Sequence, residues 1–367
     1  MAIRVLFAAG DVGGARALIP IIHLAQQQGL ETMVLRHGHL AIEGSPEWRW
    51  IASEGDIDAL HAALMVARPD VVVFASSVKD PTALAIARLA QRRQIPTVHV
   101  LDSWTMYRQR MTTDGLHMFV PTIYTAIDDL AADGAAAEGI PKSILRITGQ
   151  PALVTASWRT TADQTPIHKS AHKNIDLLFV SEPAAADHGE SSQSLQYRGY
   201  TEASVLSLLC SALQPLSDGI FVSVLPHPRE NASDIENVWN TQKGSLLGTV
   251  LRQNALGDKL AQFDGIIGMA SVLLYQAWLA GRPVLSIQPE LRIAALRQIE
   301  HRDGATLVDN SVGAREKIRA WVAGLTPGQM PKPRPELTLH ARSAEFILSL
   351  ARALTEAEPL KADHHDR

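Results

Sequence analysis

Short apolar runs that alternate with helical segments are the feature that most restricts the fold of this chain. In the first half, helices are predicted at about 14–28, 56–67 and 81–94, and the apolar runs between them predict these strands: Ile3–Ala8, Thr32–Leu35, Val71–Ala75, Thr97–Leu101 and Ile144–Thr148. Such alternation predicts a parallel sheet, because each parallel strand is reached through a crossover helix. The runs are apolar throughout, which is typical of strands that are covered by helices on both faces.

The same alternation starts again after a polar, aperiodic stretch at residues 155–173. The helical spacing of apolar residues predicts helices near 198–213, 254–262, 270–281 and 290–299. The apolar runs of this half predict these strands: Ile175–Val180, Ile220–Leu225, Thr249–Leu251, Gly265–Ile267 and Val284–Ile287. The fold class is therefore α/β, with two doubly wound Rossmann-like domains that face a central cleft.

The predicted domain organisation has five segments. Residues 1–152 form the first Rossmann-like domain, 153–173 a linker, 174–336 the second Rossmann-like domain, 337–356 a helix that crosses back, and 357–367 a disordered tail. A chain of 367 residues exceeds what one hydrophobic core usually organises, which supports two domains.

Composition excludes several classes of protein. The formal net charge is -4 and there is no long Lys/Arg run, so neither a nucleic acid nor an anionic membrane surface is an expected partner. The single cysteine, Cys210, rules out a disulfide framework or a zinc cluster within one chain. The apolar stretch Gly265–Gly281 is too short for a membrane span, and the start of the chain is unlike a secretory signal. We expect a cytoplasmic protein without a cofactor or metal, for which a homodimer stays open.

The first candidate site is a glycine-rich turn that follows the first predicted strand. The sequence from Ala9 to Ala15 includes Asp11, Gly13 and Gly14, and it brings backbone N–H groups to a helix N-terminus. The turn lacks the GxGxxG spacing of a dinucleotide site. Binding of a ligand and a purely structural tight turn are both open interpretations.

A second candidate site follows the strand that ends at Leu101. Asp102, Trp104, Tyr107 and Arg108 lie on one loop, where they could supply a base, a stacking surface and an anion clamp. The alternative is that Asp102 caps a helix while the two aromatic side chains are packed.

Candidate residues of the second half also follow predicted strands. Glu182 comes after the first strand, and His227 and Arg229 come after the next. Prolines on both sides of His227 hold it in a rigid extended turn, and Arg229 could point the same way, which gives two donors for a phosphate.

The third strand of the second half leads through Gly268, Met269 and Ala270 to Ser271, where a helix begins. The free N–H groups of that helix, its positive dipole end and the Ser271 hydroxyl could together bind a phosphate. Simple capping of the helix is the alternative.

These motifs resemble those of the GT-B superfamily, which comprises nucleotide-sugar glycosyltransferases and related sugar-nucleotide 2-epimerases. The resemblance spans nearly the whole chain. The His-Pro and serine motifs of this chain are also similar to those of bacterial sialyl-, polysialyl- and glycerophosphate transferases. The residues that carry it are Gly10–Gly14, Thr148–Pro151, His227-Pro228, Gly268, Ser271, Gln276-Ala277 and Gly281-Arg282-Pro283.

The resemblance implies glycosyl transfer, without a metal, from a nucleotide-sugar donor to the hydroxyl of a small-molecule or glycan acceptor. The donor would lie on the second domain and the acceptor on the first, with Asp11, Asp102 or His227 as catalytic groups. Gln276 stands where many members have a glutamate that contacts the donor ribose, so it would make that contact without charge. The alternatives are epimerisation or hydrolysis of a sugar nucleotide, with Glu182 beside the sugar C2, and a non-catalytic binding subunit.

Overall fold

A computed structural model of the chain describes residues 2–52, 56–112, 116–154, 174–252, 262–293, 296–297 and 302–356. The described residues fall into two compact units. Unit 1 comprises those within Met1–Val154 and Thr338–Arg367, and unit 2 those within Thr155–Leu337. The predicted linker from 155, most of the predicted helix at 254–262 and the predicted tail lie outside the described residues.

Unit 1 is built on a parallel sheet with the strand order β3-β2-β1-β4-β5-β6-β7. Its strands are β1 (Arg4–Ala9), β2 (Glu31–Arg36), β3 (Trp50–Ala52), β4 (Val71–Ala75), β5 (Thr97–Val100), β6 (Ile123–Ala126) and β7 (Leu145–Ile147). Its first helices are α1 (Val12–Gln27), α2 (Gly38–Glu43), α3 (Ile57–Ala67), α4 (Thr82–Arg92), α5 (Tyr107–Arg110) and α6 (Asp129–Ala137). All five residues of β4 are buried, as expected of a strand covered on both faces.

Unit 2 is built on a second parallel sheet with the order β10-β9-β8-β11-β12-β13. Its strands are β8 (Ile175–Val180), β9 (Ile220–Leu225), β10 (Leu247–Val250), β11 (Gly265–Gly268), β12 (Val284–Ile287) and β13 (Ala305–Val308). Its helices are α7 (Ala184–His188), α8 (Glu202–Leu213), α9 (Ala232–Gln242), α10 (Val272–Leu279) and α11 (Ala314–Ala323). The predicted fold class, α/β with two doubly wound parallel sheets, is confirmed.

The C-terminal helical segment packs on unit 1. It consists of two helices, α12 (Leu337–Ala341) and α13 (Ser343–Glu356), rather than the single predicted helix. Ile347, Leu348 and Ala351 of α13 are buried in the core that contains the buried face of α1. Burial of this apolar stripe attaches the end of the chain to the sheet of unit 1.

The predicted helix at 290–299 is wrong for residues 290–293, which have no helical structure; 294–295 and 298–299 lie outside the described residues. No helix among the described residues is both long and apolar enough to cross a membrane.

Candidate functional site

Each sheet reverses its strand order at one point, and this defines where a ligand is expected. In unit 1 the reversal lies between β1 and β4, and in unit 2 between β8 and β11. Open α/β sheets bind ligands beyond the carboxyl ends of the strands at such a switch point. The loops that follow these strands are therefore the candidate sites.

In unit 2 the backbone N–H groups at the start of α10 are bonded to a carboxylate. Glu182, which follows β8, accepts a hydrogen bond of 2.7 Å from the Ala270 N–H and a further one from the Ser271 N–H. Arg198 Nη1 lies 3.6 Å from the other carboxylate oxygen. Burial raises the pKa of Glu182, and the positive charge of Arg198 and the two N–H groups oppose this shift.

The capping interpretation of Ser271 also applies, because its hydroxyl accepts from the Leu273 N–H at 3.3 Å. Gly268 and Met269 lie at the end of β11, where the buried Met269 carbonyl accepts a hydrogen bond of 2.5 Å from the Ser286 hydroxyl. Gln276 is buried within α10, with 8% of its surface exposed. The contacts predicted between these residues and a donor nucleotide stay predictions.

His227, in the loop that follows β9, has hydrogen bonds to its backbone N–H and to its ring. Its N–H donates to Glu230 Oε2 at 2.6 Å, and Glu230 Oε1 accepts from the Ser181 hydroxyl at 2.8 Å. His227 Nδ1 accepts from the Arg229 N–H at 3.1 Å, so in the neutral ring the proton is on Nε2. Burial and the charge of Arg229 lower the pKa of His227. The prediction that His227 contacts a ligand phosphate stays a prediction, for which Nε2–H is the available ring donor.

The side chain of Arg229 has a carboxylate partner. Its guanidinium makes two bonds to Asp187 on α7, at 2.7 and 2.5 Å, and this pair raises the pKa of Arg229. The prediction that Arg229 contacts a ligand phosphate stays a prediction, and such a contact would compete with Asp187.

In unit 1 the glycines of the first turn make room for carboxylates. A Cβ atom at Gly10 would overlap the Asp80 carboxylate, and one at Gly13 would overlap that of Asp102. Gly14 lies against Ala75 and the Asp11 carboxylate. Asp11 accepts from the Gly14 N–H at 2.9 Å and thereby caps α1. The turn therefore brings three carboxylates to the switch point of unit 1.

Asp80 forms a pair with His37 that the sequence reasoning missed. His37 Nε2 lies 2.6 Å from Asp80 Oδ2, and about a quarter of each side chain is exposed. Burial by itself raises the pKa of Asp80, but the Thr82 N–H and the His37 ring outweigh it and lower the value. These residues follow β4 and β2, so the rule that ligands bind at the carboxyl ends of strands could have found them.

Asp102 is the most buried carboxylate of this site, with 7% of its side chain exposed. Arg110 Nη1 lies 2.5 Å from Asp102 Oδ1, and the guanidinium also donates to the carbonyl groups of Ser76 and Thr105. Burial raises the pKa of Asp102; Arg110 opposes the shift and the charge of Asp11 adds to it. The alternative in which Asp102 caps a helix is wrong, because the N-cap of the helix that follows it, α5, is Met106.

The aromatic residues of this loop are packed. Trp104 is 6% exposed, and its indole N–H donates to Asp128 at 2.9 Å. Tyr107 is 4% exposed and donates to the Trp104 carbonyl at 2.7 Å. These contacts leave little ring surface for stacking against a ligand. Arg108 is exposed, and its predicted acceptor contact, like those of Trp104, Tyr107, Gly13 and Gly14, stays a prediction.

The described residues contain no group of three or more His, Cys, Asp or Glu side chains that is arranged to hold a metal ion. Asp80, Asp102, Glu182 and Asp187 instead pair with histidine or arginine side chains. The chemistry that these groups offer is proton transfer and hydrogen bonding to a polar ligand.

Comparisons by sequence find no relative: no family model matches the chain, and a search of curated proteins gives no match. Comparison with solved structures gives matches along the whole chain. A Listeria monocytogenes protein assigned as a UDP-N-acetylglucosamine 2-epimerase has a TM-score of 0.66 at 14% identity, with 98% of each chain covered. The UDP-GlcNAc 2-epimerase of Methanocaldococcus jannaschii has 0.65 at 13% identity, with 96% of this chain and 100% of that chain covered.

The 2-epimerase of Neisseria meningitidis, solved with bound UDP-GlcNAc, has a TM-score of 0.60 at 13% identity over 96% of this chain and all of that chain. At this identity the likeness shows the fold. The chain has the two-domain GT-B-like fold of these enzymes. The predicted similarity to sialyl-, polysialyl- and glycerophosphate transferases finds no support, since these structures are 2-epimerases.

Proposed function

We propose that the protein is an enzyme that acts on a nucleotide-activated sugar and inverts the sugar at C2, as a sugar-nucleotide 2-epimerase does. The observation that carries the proposal is the likeness of fold to UDP-GlcNAc 2-epimerases over 96–98% of this chain. This likeness favours epimerisation over the glycosyl transfer that the sequence first suggested.

The nucleotide of the substrate binds to unit 2. The proton on His227 Nε2, the Ser271 hydroxyl and the N-terminus of α10 are donors that suit a diphosphate. They belong to loops that follow β9 and β11, next to the switch point between β8 and β11. Gln276 on α10 is the proposed hydrogen-bonding partner of a ribose hydroxyl.

The acid–base chemistry belongs to unit 1. Epimerisation at C2 removes the C2 proton from one face while the electron pair forms a C1–C2 double bond and the nucleotide diphosphate leaves C1. A proton then returns to the other face of C2 as the diphosphate adds back to C1, so the reaction needs two groups that can exchange protons. Asp80, which is paired with His37, and the buried Asp102 are the proposed groups. The opposite shifts of their two pKa values, lowered for Asp80 and raised for Asp102, suit one base and one acid.

The test is incubation of the protein with UDP-GlcNAc in D2O, followed by proton NMR. Epimerisation predicts a second N-acetylhexosamine nucleotide and loss of the C2 proton signal, because the returning proton comes from solvent. Asp80→Asn and Asp102→Asn are expected to reduce turnover by roughly 100-fold or more, as is typical when a general acid or base is removed. Asp58→Asn, at an exposed position of α3, is the matched control.

Other outcomes distinguish the alternatives. Release of free UDP together with the epimerised sugar indicates hydrolysis at the same site. No change in UDP-GlcNAc or in other sugar nucleotides without an acceptor, but consumption when glycan acceptors are added, would replace epimerisation by glycosyl transfer. Nucleotide binding without turnover under either condition would indicate a binding subunit.

A further inference from the structure

The N-terminus of α10 is an anion position of unit 2, and the protein's own carboxylate fills it. Glu182 accepts from both the Ala270 and the Ser271 N–H groups and lies 3.6 Å from Arg198. Its side chain is only 14% exposed. A phosphate at the same N–H groups and an ionised Glu182 cannot share them, since both are acceptors only.

The other donors that suit a phosphate also contact carboxylates. Glu230 accepts from the His227 N–H and the Ser181 hydroxyl, and Asp187 accepts both bonds of the Arg229 guanidinium. These contacts involve loops after β8 and β9 and helix α7, so carboxylates bind donors beside the N-terminus of α10 as well as at it. Among the described residues of this site, the groups that could bind a phosphate are therefore bound to carboxylates of the protein itself.

We propose that Glu182 is a specificity-determining residue that competes with the ligand for the anion position of unit 2, so that only an anion with further contacts displaces it. The proposal rests on the proposed function, because it concerns the nucleotide site of unit 2. A small anion such as sulfate has no base, ribose or sugar with which to offset the displacement of a bonded carboxylate. A nucleotide sugar has all three.

Displacement of Glu182 also links binding to pH. Near a bound phosphate the carboxylate is stable only when protonated, so binding takes up a proton and strengthens as the pH falls. The charged or titratable groups that face Glu182 are Arg198 and Tyr200, which precede α8, and Glu230, which follows β9. Glu202 of α8 influences Glu230, and His227 binds Glu230 through its backbone. His227 gains a proton in the same direction, so its contribution must be measured separately.

The experiment measures binding of UDP-glucose and of sulfate, both of which keep a constant charge between about pH 5 and pH 8, unlike the protein groups of interest. Calorimetry in two buffers of different ionisation heat gives the dissociation constant and the number of protons taken up. The variants are Glu182→Gln, which removes the charge and keeps the shape, His227→Gln, and the matched control Glu236→Gln on an exposed position of α9.

At about pH 8, Glu182→Gln is expected to bind UDP-glucose at least about tenfold more tightly than the unmodified protein, because a like charge is removed from beside the phosphates. Its proton uptake falls, and its affinity varies less with pH. Sulfate raises the melting temperature of Glu182→Gln and not that of the unmodified protein. Glu236→Gln behaves as the unmodified protein does.

Equal affinity and equal proton uptake in Glu182→Gln and the unmodified protein would overturn the inference while leaving the proposed function intact. If UDP-glucose binds neither the unmodified protein nor Glu182→Gln, the sulfate measurement decides. An equal shift of the two melting temperatures by sulfate, or no shift of either, overturns the inference. Should Glu182→Gln not fold, proton uptake must persist in His227→Gln, and its loss there would overturn the proposal.

Discussion

Replacing Arg110 by methionine tests whether the buried pair with Asp102 organises the site of unit 1. The two side chains are 11% and 7% exposed and their atoms approach to 2.5 Å. Removing one partner of a buried ion pair leaves an uncompensated charge, which typically costs about 3–5 kcal/mol. Arg110→Met is therefore expected to lower the free energy of unfolding by about that amount near neutral pH.

The pH dependence follows from the sign of the shift at Asp102. Its pKa in the folded protein lies above the ordinary value because of burial, and Arg110 opposes this. Loss of Arg110 raises the folded pKa further, so the folded variant holds its proton to higher pH than the unfolded chain does. Stability then falls as the pH rises through the folded pKa. The deficit of Arg110→Met should be smallest in acid and grow toward neutral pH.

Urea denaturation followed by circular dichroism at several pH values measures the free energy of unfolding of Arg110→Met and of the unmodified protein. The double variant Arg110→Met/Asp102→Ala removes both charges and should cost about 2 kcal/mol, which is less than the cost of Arg110→Met alone. The reason is that it loses mainly two hydrogen bonds to carbonyl groups. Arg16→Met breaks an exposed pair with Glu43 and should cost about 0–1 kcal/mol. A loss below about 1 kcal/mol for Arg110→Met, without pH dependence, would refute the reasoning.

Three further predictions concern the packing of side chains. Gly13→Ala is expected to cost about 1–3 kcal/mol in urea denaturation, because the new methyl group overlaps the Asp102 carboxylate. Gly219→Ala, which meets no atom within 4 Å, is the control and should cost almost nothing; equal losses would contradict the overlap. Cys210 should resist thiol reagents until the chain unfolds, since burial raises its pKa to about 12, and rapid labelling of the native protein would refute this. Trp239→Ala should cost about 3–5 kcal/mol, because the side chain is 2% exposed in the core of unit 2; a loss below about 1 kcal/mol would show that the core closes around the cavity.

Four strands of mainly apolar sequence could be predicted to the residue. Val71–Ala75, Ile175–Val180, Ile220–Leu225 and Val284–Ile287 have the same bounds in the sequence prediction and in the structure. Each has at most one polar residue, and burial on both faces gives such a strand a signal that does not depend on its neighbours.

Elements with less apolar surface were missed. Helix α9 buries only Ile235 and Trp239, so its sequence has too few apolar positions to establish a helical period. Strand β3 has only three residues, and β6 mixes threonine and tyrosine with its apolar residues. The positions of β3 and β6 in the sheet come from pairing with β2 and β5, and a short window of sequence does not contain this information.

At the candidate sites, position in the chain was predictable and pairing was not. Glu182, His227 and Asp102 were proposed because each follows an apolar run, and the structure has each of them after the carboxyl end of a strand. Their partners depend on the tertiary fold: Asp187 lies 42 residues from Arg229, and His37 lies 43 residues from Asp80. The sequence therefore indicated where polar chemistry occurs, whereas the structure shows which charges offset one another.

The charges at the two switch points favour different roles for the two units. A phosphate at the glycine turn of unit 1 would meet Asp11, Asp80 and Asp102, while at the N-terminus of α10 in unit 2 the carboxylate that it would displace is Glu182. Like charges at close range are strongly unfavourable in a partly buried site, which supports the proposal that the nucleotide binds to unit 2 and that proton transfer takes place on unit 1. It follows that neutralising Asp80 should lower turnover and leave nucleotide affinity unchanged or improved. Loss of the His227 side chain should instead weaken nucleotide binding.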